Sequence, residues 1–381
     1  MAKTAASKPK KRSVFRRIVM ILLILFALLL VLAAAFFTIL TILEYRPDDV
    51  ESIAIRGPVA DERLASVSRG ETLRVATWNL GYGALGDNAD FFMDGGSMVV
   101  TADKERVEKN LKGISETLQT IDPDIFFAQE IDLNSDRSYH IDETENLFYS
   151  GNPIFPEGAD SMFACNFRAA FIPYPIPPIG KVNSGILTVS SYAVSQAQRI
   201  SLPCPFSWPV RTVNLKRCLL VSRMPVADSE HELVLVNLHL EAYDDGEGKI
   251  KQTKMLADFL SKEAGLGNYV IVGGDFNQTF SSVDSSAYPM LEGNWHAGSI
   301  EVTDFPDGFS FYMDPSVPSG RSILHPLATA QNKDPQHFQY YMIDGFIVSD
   351  NLDVENCETL DYGFVCTDHN PVVLTVSIPE S

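Results

Sequence analysis

A chain of 381 residues that is 45% hydrophobic can bury one large core or two ordinary ones. Its net charge of −19 argues against tight nucleic-acid binding, which relies on Lys and Arg displacing counterions from phosphates, although an acidic solubilising surface explains the same number. The five cysteines form no Cys-x-x-Cys pattern and have no His cluster nearby, which argues against a thiolate zinc site.

Residues 1–17 are a basic tail carrying Lys3, Lys8, Lys10, Lys11, Arg12, Arg16 and Arg17. From Ile18 to Leu43 run 26 residues of which only Thr38 and Thr41 are polar. As a helix this run measures about 39 Å, and a bilayer needs about 20 apolar residues, so it is expected to cross with some tilt. The basic flank keeps the amino terminus cytoplasmic and exports everything after Glu44, so the chain is expected to be a single-pass cell-membrane protein with an extracellular or periplasmic domain. A cleaved signal peptide ending near Ala33-Ala34-Ala35 is the rival, weakened by the length of the apolar run, which continues for eight residues past Ala35. Because seven basic residues and one acidic residue precede Arg46, the exported part is more acidic still, near −25.

Residues 44–71, charged and carrying Pro47, Gly57 and Pro58, are expected to be a linker that lifts the domain off the membrane. The folded domain is placed at 72–378. Strands are expected at Leu73 to Trp78, Ile125 to Gln129, Gly185 to Val189, Leu219 to Ser222, Leu233 to Leu238, Tyr269 to Val272, Phe346 to Val348 and Val372 to Val376. Val107, Leu111, Ile114, Leu118 and Ile121 fall at helical spacing, and a second helix over about Lys249 to Glu263 turns Met255, Leu256, Phe259 and Leu260 inward. Strands and helices interspersed in this way predict an α/β domain. Outside the membrane, Cys204 with Cys218 or Cys357 with Cys366 could clip a hairpin, though spacing alone does not establish pairing.

Asn152 to Lys181 contains Pro153, Pro156, Pro173, Pro175, Pro177 and Pro178 among Phe155, Phe163, Phe167, Phe171 and Tyr174. The prolines read against an interior strand and for a long cover loop; an apolar lip that touches lipid or shapes a pocket is the functional alternative.

Six phrases supply chemistry: Thr77-Trp78-Asn79-Leu80-Gly81, Gln129-Glu130, Asn237-Leu238-His239-Leu240, Gly273-Gly274-Asp275-Phe276-Asn277, Ile343-Asp344-Gly345-Phe346 and Thr367-Asp368-His369-Asn370-Pro371. Asn79, Glu130, His239 and Asp275 each end an expected strand, which would gather them on one rim, and carboxylates, histidines and amides together suit phosphate-ester hydrolysis. In order and wording the phrases resemble the endonuclease/exonuclease/phosphatase superfamily, which includes pancreatic-type deoxyribonuclease, abasic-site endonucleases, neutral sphingomyelinases and inositol polyphosphate 5-phosphatases. The resemblance covers roughly Thr72 to Ile378.

That resemblance implies a four-layer α/β/β/α sandwich of two packed mixed sheets and a Mg²⁺- or Mn²⁺-dependent phosphoric ester hydrolase. Carried over by motif, Glu130, Asp368 and the amide oxygen of Asn79 would hold the metal, the choice of hard oxygen donors suiting these ions. Asp275 would activate or orient the attacking water, and Asn277 would bind the phosphate in flight. The Gly273-Gly274 pair would let the backbone turn so that both side chains reach the rim. His369, oriented by Asp344, would contact the phosphoryl group, and His239 would assist the leaving group unless it is a satisfied core histidine. Asn183, before an expected strand, is a candidate substrate contact, with turn chemistry the competing account. Arg137, Tyr139 and His140 read as a solvated loop or as a second phosphate contact.

The segment Val272 to Thr279 lacks the Trp and Arg of the 5-phosphatase phrase, which disfavours that branch. The expected activity is phosphodiester cleavage by activated water, with a phospholipid headgroup or envelope ester favoured. A secreted deoxyribonuclease-like enzyme and a catalytically silent metal- or phosphate-binding module are the alternatives.

Overall fold

Strand and helix patterns resolve into two packed mixed sheets of seven strands each, with helices around them. The computed structural model describes residues 12–57, 64–149, 154–155, 158–244 and 246–380. Residues 1–11 of the basic tail, Pro58, Asn152, Pro153 and Pro156 lie outside the described residues. In spatial order the first sheet is β17 (Asp353–Thr359), β18 (Val372–Ser377), β3 (Thr72–Asn79), β4 (Ile125–Asp132), β6 (Gly180–Ser190), β5 (Asp160–Ile172) and β2 (Ile55–Arg56). The second is β1 (Val50–Ser52), β7 (Gln196–Ser201), β8 (Cys218–Pro225), β9 (Glu232–His239), β10 (Tyr269–Asp275), β16 (Asp344–Ser349) and β13 (Phe309–Tyr312). Two short ribbons, β11 (Gln278–Phe280) with β12 (Gly298–Ile300) and β14 (Gly320–Arg321) with β15 (Tyr340–Tyr341), lie beside them.

Strands buried on both faces explain the unbroken apolar runs. In β9, Leu233 and Leu235 enter the core between the sheets, while Val234 and Val236 face the outer layer formed by α3 (Glu247–Gly265). On the other side α2 (Lys104–Ile121) places Val107, Leu111, Ile114 and Leu118 against Ala76, Phe126 and Leu187. Its first turn is capped by Asp103, whose carboxylate accepts the Arg106 N–H at 2.8 Å. Each such side chain contributes about 1.5–3 kcal/mol of burial.

At the amino terminus, α1 (Arg12–Ile42) contains an apolar stretch, Val14–Ile42, long enough to span a membrane, and none of it is buried by the protein. Its two threonines donate back to Ala34 O and Phe37 O at 2.7 Å each, so neither hydroxyl is left unpaired along the apolar helix.

The segment 44–71, read from composition as a linker lifting the domain off the membrane, is in part held against the domain over its described residues. Here β1 pairs with β7 at the edge of one sheet and β2 with β5 at the edge of the other. Glu44 sits between Arg211 Nε at 3.3 Å and Lys216 Nζ at 3.4 Å, and the Tyr45 hydroxyl donates to Cys165 O at 3.4 Å. Two open sheet edges supply partners that a local sequence pattern cannot reveal.

Nor is the proline-rich segment a cover loop: residues 160–172 form β5, which pairs with β6 along most of its length. Pro173, Pro175, Pro177 and Pro178 occupy the turn between them, so the chain breakers mark a hairpin tip and not the strand. All five cysteines are free, so neither candidate pair is joined.

Candidate active site

Because β3 runs parallel to β4 and β9 parallel to β10, their carboxyl ends lie on one rim and bring Asn79, Glu130, His239 and Asp275 together. Asp344 enters from the antiparallel neighbour, directly opposite Asp275. Asp368 and His369 arrive on the loop before β18, held by the Thr367 hydroxyl, which donates to Asn79 O at 2.9 Å, and by Trp78 Nε1, which donates to His369 O at 2.9 Å. Two motif residues serve the frame: Gln129 Nε2 donates to Asn237 Oδ1 at 2.8 Å, and Asn237 Nδ2 donates to Leu187 O at 2.9 Å, joining the two sheets beneath the rim.

Local backbone geometry aims the side chains. Glu130 has φ 53° at an irregularity in the pairing of β4 with β6, and such a bulge turns a side chain out of the sheet's alternation. Asn277 also has φ 53°; its Nδ2 donates to Leu240 O at 3.0 Å and its N–H to Asp275 Oδ1 at 2.9 Å. The Gly273–Gly274 pair does not make the expected turn, since both residues lie within β10. A Cβ on Gly274, at φ 147°, would come within 2.0 Å of Leu238 O, and one on Gly273 within 2.6 Å of the Phe346 ring, so close packing demands the glycines.

The Asn79 amide ties the carboxylates together. Its Nδ2 donates to Asp275 Oδ2 at 3.0 Å and to Glu130 Oε1 at 3.3 Å, while its Oδ1 accepts the Gly81 N–H at 3.0 Å. Burial pushes the Asp275 carboxyl up to about 7, with Asp344 adding to the effect and His369 opposing it. Glu130 is raised by burial and then by Asp368; Asp368 is raised by burial, with His369 and Arg321 opposing.

The two histidines differ. Burial works against a charge on His369, but the Asp344 carboxylate outweighs it through a 2.8 Å contact between Oδ2 and Nδ1, holding this imidazole well above its ordinary value. His239 is held well below its ordinary value by burial, by Arg217 and by the charge on His369. Its Nε2 lies 3.4 Å from Asp275 Oδ2, and its Nδ1 has no hydrogen-bond partner. One imidazolium and one neutral imidazole therefore flank a single carboxylate, since His369 Nε2 lies 3.8 Å from the same oxygen.

Glu130, His239, Asp275, Asn277, Asp368 and His369 form the floor of a cavity of about 480 Å³. Of its wall, sequence reasoning singles out Arg137, as a candidate second phosphate contact, but not the other two arginines. Arg217 and Arg321 line it, as does Arg137, which pairs with Asp132 at 2.9 and 3.0 Å and lies 3.6 Å over the Tyr82 ring. Arg217 is almost fully buried, with Nε 3.7 Å from Glu241 Oε2 and its Nη1 unpaired. Nothing in the spacing of these arginines signals a shared site; the topology alone brings them together. Asn183 is not among the lining residues: its Oδ1 faces the Cys165 thiol at 4.0 Å, and the adjacent Ser184 lines the cavity instead. Tyr139 and His140 turn elsewhere, to Ala102 O and Asn134.

The donor set suits a divalent metal ion: several carboxylates buried side by side, raised by that burial, with Asp344 Oδ1 lacking a hydrogen-bond partner. Asp275, Asp344 and His369 also offer ligand atoms within 4.8 Å of one another.

Residues 76–374 match the Endonuclease/Exonuclease/phosphatase family, and the chain belongs to it. Members of this family are metal-dependent phosphoesterases or nucleases. Among solved structures, an endonuclease/exonuclease/phosphatase from Beutenbergia cavernae DSM 12333 is similar at 14% identity and TM-score 0.53, over 81% of this chain and 72% of that one. A family protein from Bacteroides vulgatus matches at 14% identity and TM-score 0.48, over 81% of this chain and 99% of the other. The human Nocturnin catalytic domain matches at 17% identity and TM-score 0.47, over 85% and 97%. No curated protein matches the chain.

Proposed function

We propose that this chain is a single-pass, membrane-anchored phosphodiesterase that uses Mg²⁺ or Mn²⁺ and attacks its substrate directly with water. The observation that carries the reading is the convergence of Glu130, His239, Asp275 and His369 on the floor of one arginine-lined cavity, with Asn79 hydrogen-bonded to Asp275 and Glu130 and Asp344 to His369. Glu130 and Asp368 would hold the metal, with Asn79 assisting. Asp344 and His369 are committed to each other by their 2.8 Å contact and are better suited to the substrate side. A bound divalent ion supplies charge against the phosphoryl oxygens and favours ionised carboxylates around it.

The protein's own groups divide the remaining work. Asp275, whose proton affinity lies near neutrality, accepts a proton from the attacking water. Asn277 and the His369 imidazolium donate hydrogen bonds to the phosphoryl oxygens as charge builds there. His239, neutral and desolvated, donates from one ring nitrogen to the leaving oxygen. Arg217 adds a fixed positive charge beside it.

The Val14–Ile42 helix supports the anchor, and the basic flank supports an orientation in which the catalytic domain lies outside the cytoplasm. The full chain in detergent micelles, assayed on bis(p-nitrophenyl) phosphate, a phospholipid and plasmid DNA, each with Mg²⁺, Mn²⁺ or EDTA, tests the chemistry. Metal-dependent turnover lost in Asp275→Asn supports it; metal binding without turnover of this ester, a phospholipid or DNA would replace it with a silent binding module. Preference for DNA over both esters would make the enzyme a nuclease despite its acidic exterior.

A further inference from the structure

The last turn of α1 is fastened to the cavity mouth. Trp208 Nε1 donates to Thr41 Oγ1 at 3.0 Å, its ring lies 5.6 Å from that of Phe37, and α1 rests on the short helix Val210–Val213. Glu44, Tyr45, β1 and β2 then pin the chain at once, so the described residues after α1 leave no slack that would let the domain swing away. Val210 and Val213 line the catalytic cavity. Across from them stands the β5–β6 hairpin, whose Ile172 lines the same cavity and shares a cluster with Val213.

The hairpin tip is apolar and exposed, with Ile176 at 93%, Tyr174 at 71% and Phe171 at 47% of full exposure; Trp208 and Val210 are each at 51%. Exposed apolar groups clustered around a cavity mark an interaction surface. Here the surface continues into a helix apolar enough to lie in lipid. Trp208 beside the end of that helix, with Arg211 and Arg46 next to it, has the composition of a membrane–water interface.

We infer, extending the phosphodiesterase reading, that the hairpin tip 173–178 and Trp208 dip into the bilayer holding α1, and that the cavity takes a long-chain phospholipid of that bilayer, headgroup inward. Tails remain among the apolar wall residues and lipid, while the phosphate reaches the charged floor. One continuous surface serves as anchor and mouth.

The test reconstitutes the full chain with Mg²⁺ in vesicles of equal parts phosphatidylcholine, phosphatidylglycerol and sphingomyelin, reading released headgroups. It is repeated with the enzyme in inert ether-lipid vesicles lacking a phosphodiester headgroup and the substrate in separate vesicles, with soluble bis(p-nitrophenyl) phosphate assayed in parallel. Same-bilayer hydrolysis should exceed hydrolysis across vesicles by at least about tenfold, since insertion of apolar anchors sets capture. Ile176→Glu should lower lipid hydrolysis about tenfold yet leave soluble-ester turnover within about twofold. Equal rates within and across vesicles, an unaffected Ile176→Glu, or wild-type cleavage of the soluble ester alone would overturn the inference and leave the chemistry standing. Cleavage of neither substrate would remove both. Quenching of tryptophan fluorescence by brominated lipid should fall in Trp208→Phe; unchanged quenching would overturn placement of the mouth at the interface.

Discussion

The floor of the cavity and its mouth are built by opposite rules. On the floor every candidate reacting group is at least partly buried and comes from a strand end or a loop braced against one, and hydrogen bonds orient Asp275 and His369. At the mouth the side chains are apolar, exposed and carried by a hairpin tip and a one-turn helix. The difference teaches that reactivity is held in place by the rigid sheets, whereas capture depends on surfaces whose partner lies outside the polypeptide.

The floor should fail most sharply when its central carboxylate is neutralised. Asp275→Asn keeps the shape and the Asn79 contact region but removes the proton acceptor, so kcat should fall about 10²–10⁴-fold. Thermal unfolding without metal should occur at a higher temperature in this variant, because wild type carries a carboxylate that burial and Asp344 disfavour. Loss of activity accompanied by loss of stability would mean that Asp275 serves the fold and would erase the distinction between floor and frame.

A smaller loss should follow at the paired histidine. His369→Gln and Asp344→Asn should each lower kcat about 10²-fold, and the double variant should be little worse than the weaker single one, because the two act as one unit. Multiplying losses, measured by a double-mutant cycle, would show that Asp344 contributes independently through its unpaired Oδ1.

The floor was far more legible in the sequence than the mouth, for physical reasons. Apolar runs such as Leu233 to Leu238 are strands covered on both faces, and the 3.6-residue period of Val107 to Ile121 is a helix lying on one, so the layers follow from local pattern. Strand ends then locate Asn79, Glu130, His239 and Asp275. By contrast, β1 and β2 contain three and two residues, and their pairing is decided by open edges far along the chain. β5 went unread because its flanking prolines belong to the turn while its own residues mix aromatic and polar types. The wall arginines 137, 217 and 321 come from separate segments with no shared spacing, and only the folded chain assembles them.

Protonation should separate floor from frame without any mutation. In the metal-free protein Asp275 titrates near 7 against an ordinary 3.8, so the folded state binds this proton more tightly than the unfolded chain does. The stabilisation is complete below the ordinary value and is lost as pH rises through 7; Glu130 and Asp368 shift in the same direction. The unfolding temperature of the EDTA-treated protein should therefore drop by several degrees from pH 6 to pH 8. On the proposed reading Mg²⁺ would bind the ionised carboxylates, so its addition should reverse much of the drop at pH 8 and its affinity should weaken toward pH 6. A metal-free protein that grows more stable over this range would show that the carboxylates are not the site of metal-linked titration.

The smallest effect is expected where mouth and anchor meet. Glu44 has a side chain 3% exposed and lies between Arg211 and Lys216, so Glu44→Ala leaves a mostly covered lysine without its carboxylate. Removing one partner of such a contact costs about 1–3 kcal/mol. Soluble-ester turnover should change by less than about twofold, because Glu44 contacts Arg211 and Lys216 and none of the floor groups. Amide hydrogen exchange should nevertheless quicken at β1 and β2, which hold the chain leaving α1 against both sheets, and lipid hydrolysis should fall as the mouth loses its fixed height above the bilayer. If exchange at residues 50–56 is already as fast in wild type as in the variant, the segment behaves as the loose tether its composition suggested. The mouth is then positioned by Trp208 and the hairpin tip alone.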